Sequence, residues 1–258
     1  MSETLVVIPL LRDRFPNLMN NYGYLFRAGD RVVCVDCAVA APILEVLNDH
    51  DWALTDILLT HHHWDHVDGV ADLVAATGAK VWGHEKDAHR LPPLDHALSA
   101  GDVIEISGHR AEIWDVSGHT LNHIAFIFEG IAFTGDSLMV AGCGRLFEGS
   151  PDLMFNSLMK FKDLPDETLI ASGHEYTLDN LAFALSLEPD NGALISQKAK
   201  VEGGRAANRP SVPSPLSVER NTNPFLRCHM VGLKAATGTI GQSDTDTFAA
   251  ARRAKDAF

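Results

Sequence analysis

Short alternations of apolar and polar residues dominate the first part of the chain and predict a series of β-strands. The predicted strands are Thr4–Leu11, Tyr22–Arg27, Arg31–Asp36, Leu54–Thr60, Ala79–Gly83, Val103–Ile106, Ala111–Val116, Ile124–Phe128, Ile131–Thr134 and Thr168–Ala171. Apolar residues at helical spacing between these strands predict helices at Pro42–Asn48, Asp68–Thr77 and Asp152–Lys162. Strands mixed with helices in this way are typical of an α/β domain.

The pattern changes near Tyr176, where helical spacing replaces the strand alternation. It predicts helices at Leu178–Leu187, Ala193–Lys200 and Thr245–Phe258, and we expect no further strand after this point. The proline-rich segment Arg209–Pro215 predicts an extended connector between the last two helices. We therefore expect two domains, an α/β domain over residues 1–175 and a small helical domain over residues 176–258.

A histidine-rich loop follows the buried strand that ends at Thr60, and residues 61–66 read HHHWDH. Because successive residues of an extended segment point in opposite directions, the first and third histidines are expected to face the same side. The aspartate and the last histidine return to that side after a turn. The loop thus divides into a His-x-His pair, an Asp-His pair and two spacers, namely His61 and His63, Asp65 and His66, and His62 and Trp64.

Three further residues with metal-binding side chains come after predicted strands, each directly behind a glycine: His119, Asp136 and His174. Glycine lets the backbone turn sharply and approach other atoms closely. Imidazole and carboxylate groups are the ligands that Zn²⁺ and related divalent ions use in proteins. Three such strand endings at one sheet edge, together with the histidine-rich loop, predict a metal centre. A surface patch of histidines would not account for the buried strand that leads into the loop.

These motifs resemble those of a known family. The string THHHWDH at residues 60–66 resembles the THxHxDH signature of the metallo-β-lactamase superfamily, and the three later ligands follow in the order of that superfamily. A finer resemblance is to glyoxalase II, the hydroxyacylglutathione hydrolases. It is carried by FTGDSLMVAGCGR at residues 133–145, GHEYT at residues 173–177 and ARRAKDAF at residues 251–258. The resemblance spans nearly the whole chain, including the helical tail.

The resemblance implies an α/β fold of the metallo-β-lactamase type, a four-layer αβ/βα sandwich followed by a small C-terminal helical domain. It also implies two divalent metal ions per chain, for which Zn is favoured and Fe or Mn are the alternatives. By position in the motifs, the resemblance implies that the first ion is bound by His61, His63 and His119. The second ion is bound by Asp65, His66 and His174, and the carboxylate of Asp136 bridges the two ions.

The implied reaction is the hydrolysis of S-(2-hydroxyacyl)glutathione thioesters, such as S-D-lactoylglutathione, to D-lactate and glutathione. Two cations lower the pKa of a shared water, and the resulting metal-bridging hydroxide attacks the thioester carbonyl. Asp65 and Asp136 are the expected catalytic carboxylates. We expect no Ser or Cys nucleophile, because a metal-activated water takes that place. Cys143 lies between two glycines and fits a tight turn.

Family members bind the carboxylates of glutathione with basic groups and a tyrosine. The corresponding residues here are Arg145, Phe147, Tyr176, Arg252 and Lys255. Arg252 and Lys255 share one face of the last predicted helix, while Arg253 points elsewhere. Taken without the resemblance, these charges also fit an ordinary solvated helix surface. Phe147 stands where the family often has tyrosine, so a hydroxyl contact is lost.

A second departure lies in HTLNH at residues 119–123, where Asn122 replaces a glycine that is common in the family. Asparagine tolerates a left-handed backbone better than most residues, so we expect the loop to be kept. His123 is then expected to support the metal ligands without binding a metal itself.

The composition of the chain limits its possible binding partners and its cellular compartment. The formal net charge of −13 opposes nucleic-acid binding, which needs a basic face. There is no apolar run of membrane-spanning length, and the N-terminal residues lack the features of a signal peptide. With only four cysteines, we expect a cytoplasmic protein, and we expect a monomer.

Three other functions compete with the hydrolase, and one of them, a metallo-β-lactamase or lactonase, is disfavoured by the helical tail. A persulfide dioxygenase of the same superfamily, which uses one iron, shares the histidine cluster and the GCGR string but lacks the long tail with its basic end. A non-catalytic metal-binding protein would not need seven ligands.

Overall fold

The computed structural model describes residues 5–10 and 20–258. Thr4 and Leu11, the end residues of the first predicted strand, lie outside the described residues. The chain divides into two compact units: Met1–Asp115 with Asn122–Gly135, and Val116–Leu121 with Asp136–Phe258. We call these the first and the second unit. The domain boundary at residue 175 is a different kind of division and stays a prediction.

A six-stranded sheet forms one layer of the first unit. Its strands, in sheet order, are β1 (Leu5–Leu10), β2 (Asn21–Ala28), β3 (Arg31–Val35), β4 (Asp56–Leu58), β5 (Lys80–His84) and β6 (His96–Leu98). Strands β1 to β3 are antiparallel, and a turn at Gly29 with φ of 60° links β2 to β3. Strands β3 to β6 are parallel, so their connections must cross over the sheet.

The helices of the first unit lie in these crossovers. They are α1 (Ala40–Asp49), α2 (Trp64–Val67) and α3 (Val70–Thr77). Ile43 of α1 and Leu73 of α3 are buried in one apolar cluster with Leu25 and Ile57 of the sheet. The predicted end of α3 is confirmed, because Gly78 has a left-handed φ of 71° that stops the helix.

A second group of strands in the first unit is an antiparallel meander. It consists of β7 (Val103–Ile106), β8 (His109–Asp115), β9 (Ile124–Phe128) and β10 (Ile131–Gly135). Phe26 of the first sheet packs against Phe128 and Phe133 of the meander, and the ring centroids are 5.3 Å apart in both pairs. An aromatic core therefore joins the two sets of strands.

The second unit is mainly helical. It contains the hairpin β11 (Leu138–Met139) and β12 (Gly142–Cys143), the pair β13 (Leu169–Ser172) and β14 (Ser214–Pro215), and the helices α4 (Pro151–Lys160), α5 (Thr177–Leu187), α6 (Gly192–Ala206), α7 (Leu216–Thr222), α8 (Val231–Ala236) and α9 (Asp244–Asp256). Ser150 caps α4, and a capping box of Ser243 and Asp246 starts α9. The ring of Phe248 on α9 packs against Phe225, with centroids 5.4 Å apart.

Two of the predictions are corrected here. We expected no strand after Tyr176, but the two-residue β14 pairs with β13, and so short a segment shows no alternation. The helix predicted to end at Lys200 continues to Ala206, through two glycines that disfavour helix on propensity alone. Within residues 5–10 and 20–258, no helix is both long and apolar enough to cross a membrane.

Candidate metal centre

The histidine-rich loop lies directly after β4 in the first unit, and its side chains alternate in direction as expected. His61 is buried, and its Nε2 lies 3.1 Å from Nδ1 of His63. His62 points elsewhere, with Nδ1 3.1 Å from a carboxylate oxygen of Asp87. Trp64 is 48% exposed. The loop therefore presents two imidazoles on one side and its spacers on the other.

Asp36 orients two of these histidines, a role that the sequence analysis did not identify. Its carboxylate accepts hydrogen bonds from the backbone N–H of Thr60 at 2.9 Å, from Oγ1 of Thr60 at 2.8 Å and from Nδ1 of His66 at 2.8 Å. Oγ1 of Thr60 in turn accepts from Nδ1 of His61 at 3.0 Å. Both imidazoles are thus left with Nε2 as the nitrogen available to a metal. The only sequence signal is an aspartate directly after a buried strand.

The two other ligand-type groups of the first unit are also held in place. Nδ2 of Asn21 donates to a carboxylate oxygen of Asp65 at 3.0 Å and to its backbone carbonyl at 2.8 Å. The ring of His123 stacks on His61 with centroids 4.6 Å apart. Asn122 has φ of 61°, so the expected left-handed conformation of this loop is confirmed. His123 accordingly contacts a predicted ligand from the side.

In the second unit, Asp136 lies between two histidines. One of its oxygens, Oδ2, is 3.0 Å from Nε2 of His174 and 3.5 Å from Nε2 of His119. All three side chains are buried. Nδ1 of His119 donates to the backbone carbonyl of Arg145 at 2.8 Å, so Nε2 is the nitrogen that faces the carboxylate. One carboxylate oxygen of Asp136 therefore faces two imidazoles at once.

The chemistry of these groups fits divalent metal ions. The donor atoms are imidazole nitrogens and carboxylate oxygens, which are the usual ligands of Zn²⁺ and similar ions. His61, His66 and His119 each have Nδ1 engaged by a hydroxyl, a carboxylate or a carbonyl, as metal-binding histidines commonly do. In the first unit, ligand atoms of Asp36, His61 and His66 all lie within 4.8 Å of one another. The donor atoms present therefore fit a divalent metal ion.

Three of the predicted substrate-binding cations influence one another in the second unit. Burial lowers the pKa of Lys255, the carboxylate of Asp179 opposes this shift, and the positive charges of Arg252 and Arg145 lower the pKa further. Nζ of Lys255 donates to the backbone carbonyl of Asp179 at 3.2 Å. Arg145 and Arg253 are exposed. The three predicted cations, which we call the basic cluster, thus lie near one another beside the carboxylates of Asp179 and Asp256.

Arg252 differs from the other two because it is only 4% exposed. Its Nη1 donates to the backbone carbonyl of Cys143 at 2.9 Å, and its Nη2 donates to Asp256 at 2.8 Å. Its guanidinium also lies over the ring of Phe225, 5.3 Å from the centroid. Contact with the substrate therefore stays a prediction for Arg252, and its visible contacts are within the protein.

Two aromatic residues from the predicted substrate set lie beside predicted metal ligands. Tyr176 stacks on His174 with centroids 4.7 Å apart and nearly parallel planes. Phe147 is 63% exposed, and its ring lies edge-on to His119 at 5.2 Å. An exposed aromatic ring next to a ligand offers an apolar surface to a substrate.

The cysteines do not resemble nucleophiles. All four are buried and free. Burial raises the pKa of Cys143 to about 11, and the charge of Arg252 opposes this shift only in part. Burial also raises the pKa of Cys34 and of Cys37. Because the thiolate is the reactive form, these thiols are inert near neutral pH.

The chain is similar to known proteins over nearly its whole length. A family model described as metallo-beta-lactamase superfamily matches residues 17–174, and one described as hydroxyacylglutathione hydrolase C-terminus matches residues 175–258. The hydroxyacylglutathione hydrolase of Jannaschia sp. (strain CCS1) is 52% identical over 247 residues, which cover 94% of this chain and 96% of that protein. The one of Fuscovulum blasticum is 51% identical over 260 residues and covers 100% of both chains.

Among solved structures, the BLEG-1 B3 metallo-beta-lactamase aligns with a TM-score of 0.66 and 21% identity, covering 86% of this chain and 99% of its own. This similarity concerns the fold. The predicted fold class, an αβ/βα sandwich of the metallo-β-lactamase type with a C-terminal helical region, is confirmed.

Proposed function

Because the chain belongs to the hydroxyacylglutathione hydrolase family within the metallo-β-lactamase superfamily, we propose that it hydrolyses S-(2-hydroxyacyl)glutathione thioesters. The model substrate is S-D-lactoylglutathione, which yields D-lactate and glutathione. The observation that carries this proposal is the 51% sequence identity to the hydroxyacylglutathione hydrolase of Fuscovulum blasticum, which extends over the full chain and includes the C-terminal region. A metallo-β-lactamase fold alone would leave the substrate open.

We propose a centre of two divalent ions, with Zn favoured over Fe or Mn. His61, His63 and His119 would bind one ion, Asp65, His66 and His174 the other, and Asp136 both. The position of Asp136 supports this, because its Oδ2 faces His119 and His174, which belong to different ions in this assignment. The superfamily model spans residues 17–174 and so includes all seven positions.

When bound, the ions supply a water of lowered pKa as the nucleophile and polarise the thioester carbonyl. The protein directs the Nε2 atoms of these histidines through hydrogen bonds at Nδ1, with Asp36 for His66, with Thr60 for His61 and with the carbonyl of Arg145 for His119. A thiolate is a good leaving group, so no strong general acid is required. The protonated Cys143 takes no part as a nucleophile.

We propose that residues 176–258, together with Arg145 and Phe147, bind the glutathione part of the substrate, while residues 1–175 carry the metal ligands. The proposed contacts are Arg145, Phe147, Tyr176, Arg252 and Lys255. The basic cluster around Lys255 supports this assignment, because glutathione is anionic and the chain as a whole carries a net charge of −13. A local excess of positive charge is needed to attract such a substrate.

Replacing Lys255 by Ala is expected to raise KM about tenfold and leave kcat within about twofold, because the residue would contact a remote part of the substrate. Steady-state thiol release with S-D-lactoylglutathione measures both constants. Arg253→Ala is the matched control, since Arg253 is exposed on the same helix and is expected to change neither. A fall in kcat at unchanged KM would contradict the proposed role of Lys255.

The function itself is tested by incubating the purified protein with S-D-lactoylglutathione. We expect release of one free thiol per thioester, loss of this activity with a chelator and recovery when Zn²⁺ is added back. Absence of thiol release from a metal-loaded, folded protein would refute the proposal. Oxygen uptake with glutathione persulfide, without thioester cleavage, would instead favour the persulfide dioxygenase.

We further propose that the enzyme acts as a cytoplasmic monomer on a small molecule and not on nucleic acids or membranes. The acidic net charge supports the first exclusion, because polyanions are repelled. Size-exclusion chromatography with light scattering measures the oligomeric state.

A further inference from the structure

The short hairpin β11–β12 follows Asp136 almost directly, and side chains from the C-terminal region bind its backbone. The main one is Asn223, just after α7, which is fully buried. Its Nδ2 donates to the carbonyl of Met139 at 3.0 Å and to the carbonyl of Gly142 at 2.9 Å. One amide group thus joins the two strands of the hairpin from outside.

Glu219 on α7 holds the turn of the same hairpin. Its Oε2 accepts from the backbone N–H of Ala141 at 2.7 Å, and its Oε1 accepts from the hydroxyl of Ser214 at 2.7 Å. Ala141 has φ of 53°, a left-handed conformation that alanine rarely adopts without support. Burial raises the pKa of Glu219 to about 7, and the hydrogen bonds from Ser214, Ala141 and Asn223 oppose this shift.

Two further side chains complete the set. Nδ2 of Asn180 on α5 donates to the carbonyl of Val140 at 3.0 Å, and Nη1 of Arg252 on α9 donates to the carbonyl of Cys143 at 2.9 Å. Each residue from 139 to 143 therefore has one backbone group bound by a buried side chain of the C-terminal region. We call the four side chains the clamp: Asn180, Glu219, Asn223 and Arg252.

The hairpin leads directly to two predicted metal ligands. The backbone N–H of Gly144 donates to the carbonyl of Ser137 at 3.2 Å, which ties the exit of the hairpin to its entrance beside Asp136. The next carbonyl, that of Arg145, accepts from Nδ1 of His119. A shift of the hairpin would move this acceptor and release the ring of His119.

We propose that the clamp positions His119 for metal binding by holding the hairpin in place. The inference rests on the metal centre of the proposed function. Glu219, Asn223 and Asn180, which take no part in the proposed reaction, would hold the hairpin. The buried Arg252 would do the same in addition to contributing positive charge. The C-terminal region then supports the metal centre as well as the thiol part of the substrate. Such outer partners of metal ligands typically affect metal affinity strongly.

The test variant is Asn223→Leu, which keeps the size of the side chain but removes both hydrogen bonds to the hairpin. Asn221→Leu is the matched control, because Nδ2 of Asn221 donates to the backbone carbonyl of Ser217 within α7 and not to the hairpin. We expect Asn223→Leu to weaken Zn²⁺ binding about tenfold in competition with a chelator. In the metal-free protein, the backbone amides of residues 140–145 should exchange with solvent at least about tenfold faster.

Glu219→Gln is a milder variant, because its amide oxygen can still accept from Ala141 while its NH₂ group faces Ser214. If Asn223→Leu does not fold, Glu219→Gln and Asn180→Leu provide the test, with smaller effects in the same direction expected. Metal affinity and amide exchange equal to those of Asn221→Leu would overturn the inference. Both readouts are taken without substrate, so a wild-type protein that binds metal but releases no thiol would refute only the proposed function.

Discussion

Replacing Asp136 by Ala is expected to lower kcat/KM for thioester hydrolysis on the order of 10³-fold or more. Oδ2 of Asp136 lies 3.0 Å from Nε2 of His174 and 3.5 Å from Nε2 of His119. Among these three proposed ligands of the second unit, Asp136 alone carries a negative charge, and the substitution removes it. Two cations held close together repel each other, and a shared carboxylate offsets that repulsion. We therefore expect fewer than two ions per chain in the variant, together with the loss of activity.

Thiol release and metal analysis of the same samples measure the two effects of Asp136→Ala. Asp190→Ala is a suitable control, because Asp190 is an exposed carboxylate of the second unit. Asp136→Asn separates charge from shape, since it keeps one oxygen but loses the negative charge. Wild-type activity with two bound ions in Asp136→Ala would exclude this residue as a shared ligand and remove the basis of the proposed assignment.

Gly144→Ala is expected to disrupt the same region by steric overlap. A Cβ atom at this position would lie 2.0 Å from the backbone oxygen of Asp136 and 2.8 Å from Nδ1 of His119. Because one of these neighbours is backbone, relief requires movement of the chain. We expect a loss of about 3 kcal/mol in the free energy of unfolding. Activity and metal content should fall as well, since both displaced residues are proposed ligands.

Urea unfolding of the metal-free protein and metal titration measure the effects of Gly144→Ala. Gly204→Ala is the control, because a Cβ at this position of α6 meets nothing within 4 Å. An alanine within a helix is expected to leave stability unchanged or to raise it by about 0.5–1 kcal/mol. Equal stability of Gly144→Ala and wild type would show that the segment from Asp136 to Arg145 yields more easily than its contacts indicate.

The position of Arg252 changes how the C-terminal charges act. The helix pattern placed Arg252 and Lys255 on one face, and both belong to the basic cluster. Burial separates them, however, because Arg252 donates to Cys143 and Asp256 while Lys255 is only half-buried. Substitution of Arg252 therefore affects the hairpin as well as the local charge. Lys255 is the residue with which substrate binding is tested more directly.

The sequence by itself predicted most strands of the first unit, although not β6, and it singled out the proposed metal ligands. Most strands and helices of the first unit can be predicted from the spacing of their apolar residues. The spacing is regular because each segment buries one face. The ligand-type residues can be recognised from the sequence because they occupy short contiguous motifs directly after strands, as in HHHWDH. The direction of His61 and His63 also followed from simple alternation, and the left-handed Asn122 followed from residue type.

Only the tertiary structure decided how these ligands are held. Asp36 meets His66 across 30 residues, Asn223 meets Met139 across 84, and Arg252 meets Cys143 across 109. Such pairs cannot be predicted from the spacing of apolar residues. Whether a side chain reaches a distant group depends on how whole helices and strands pack, and not on the pattern of its own segment. For the same reason, sequence patterns placed the charge of Arg252 at a helix surface, and the folded chain buried it.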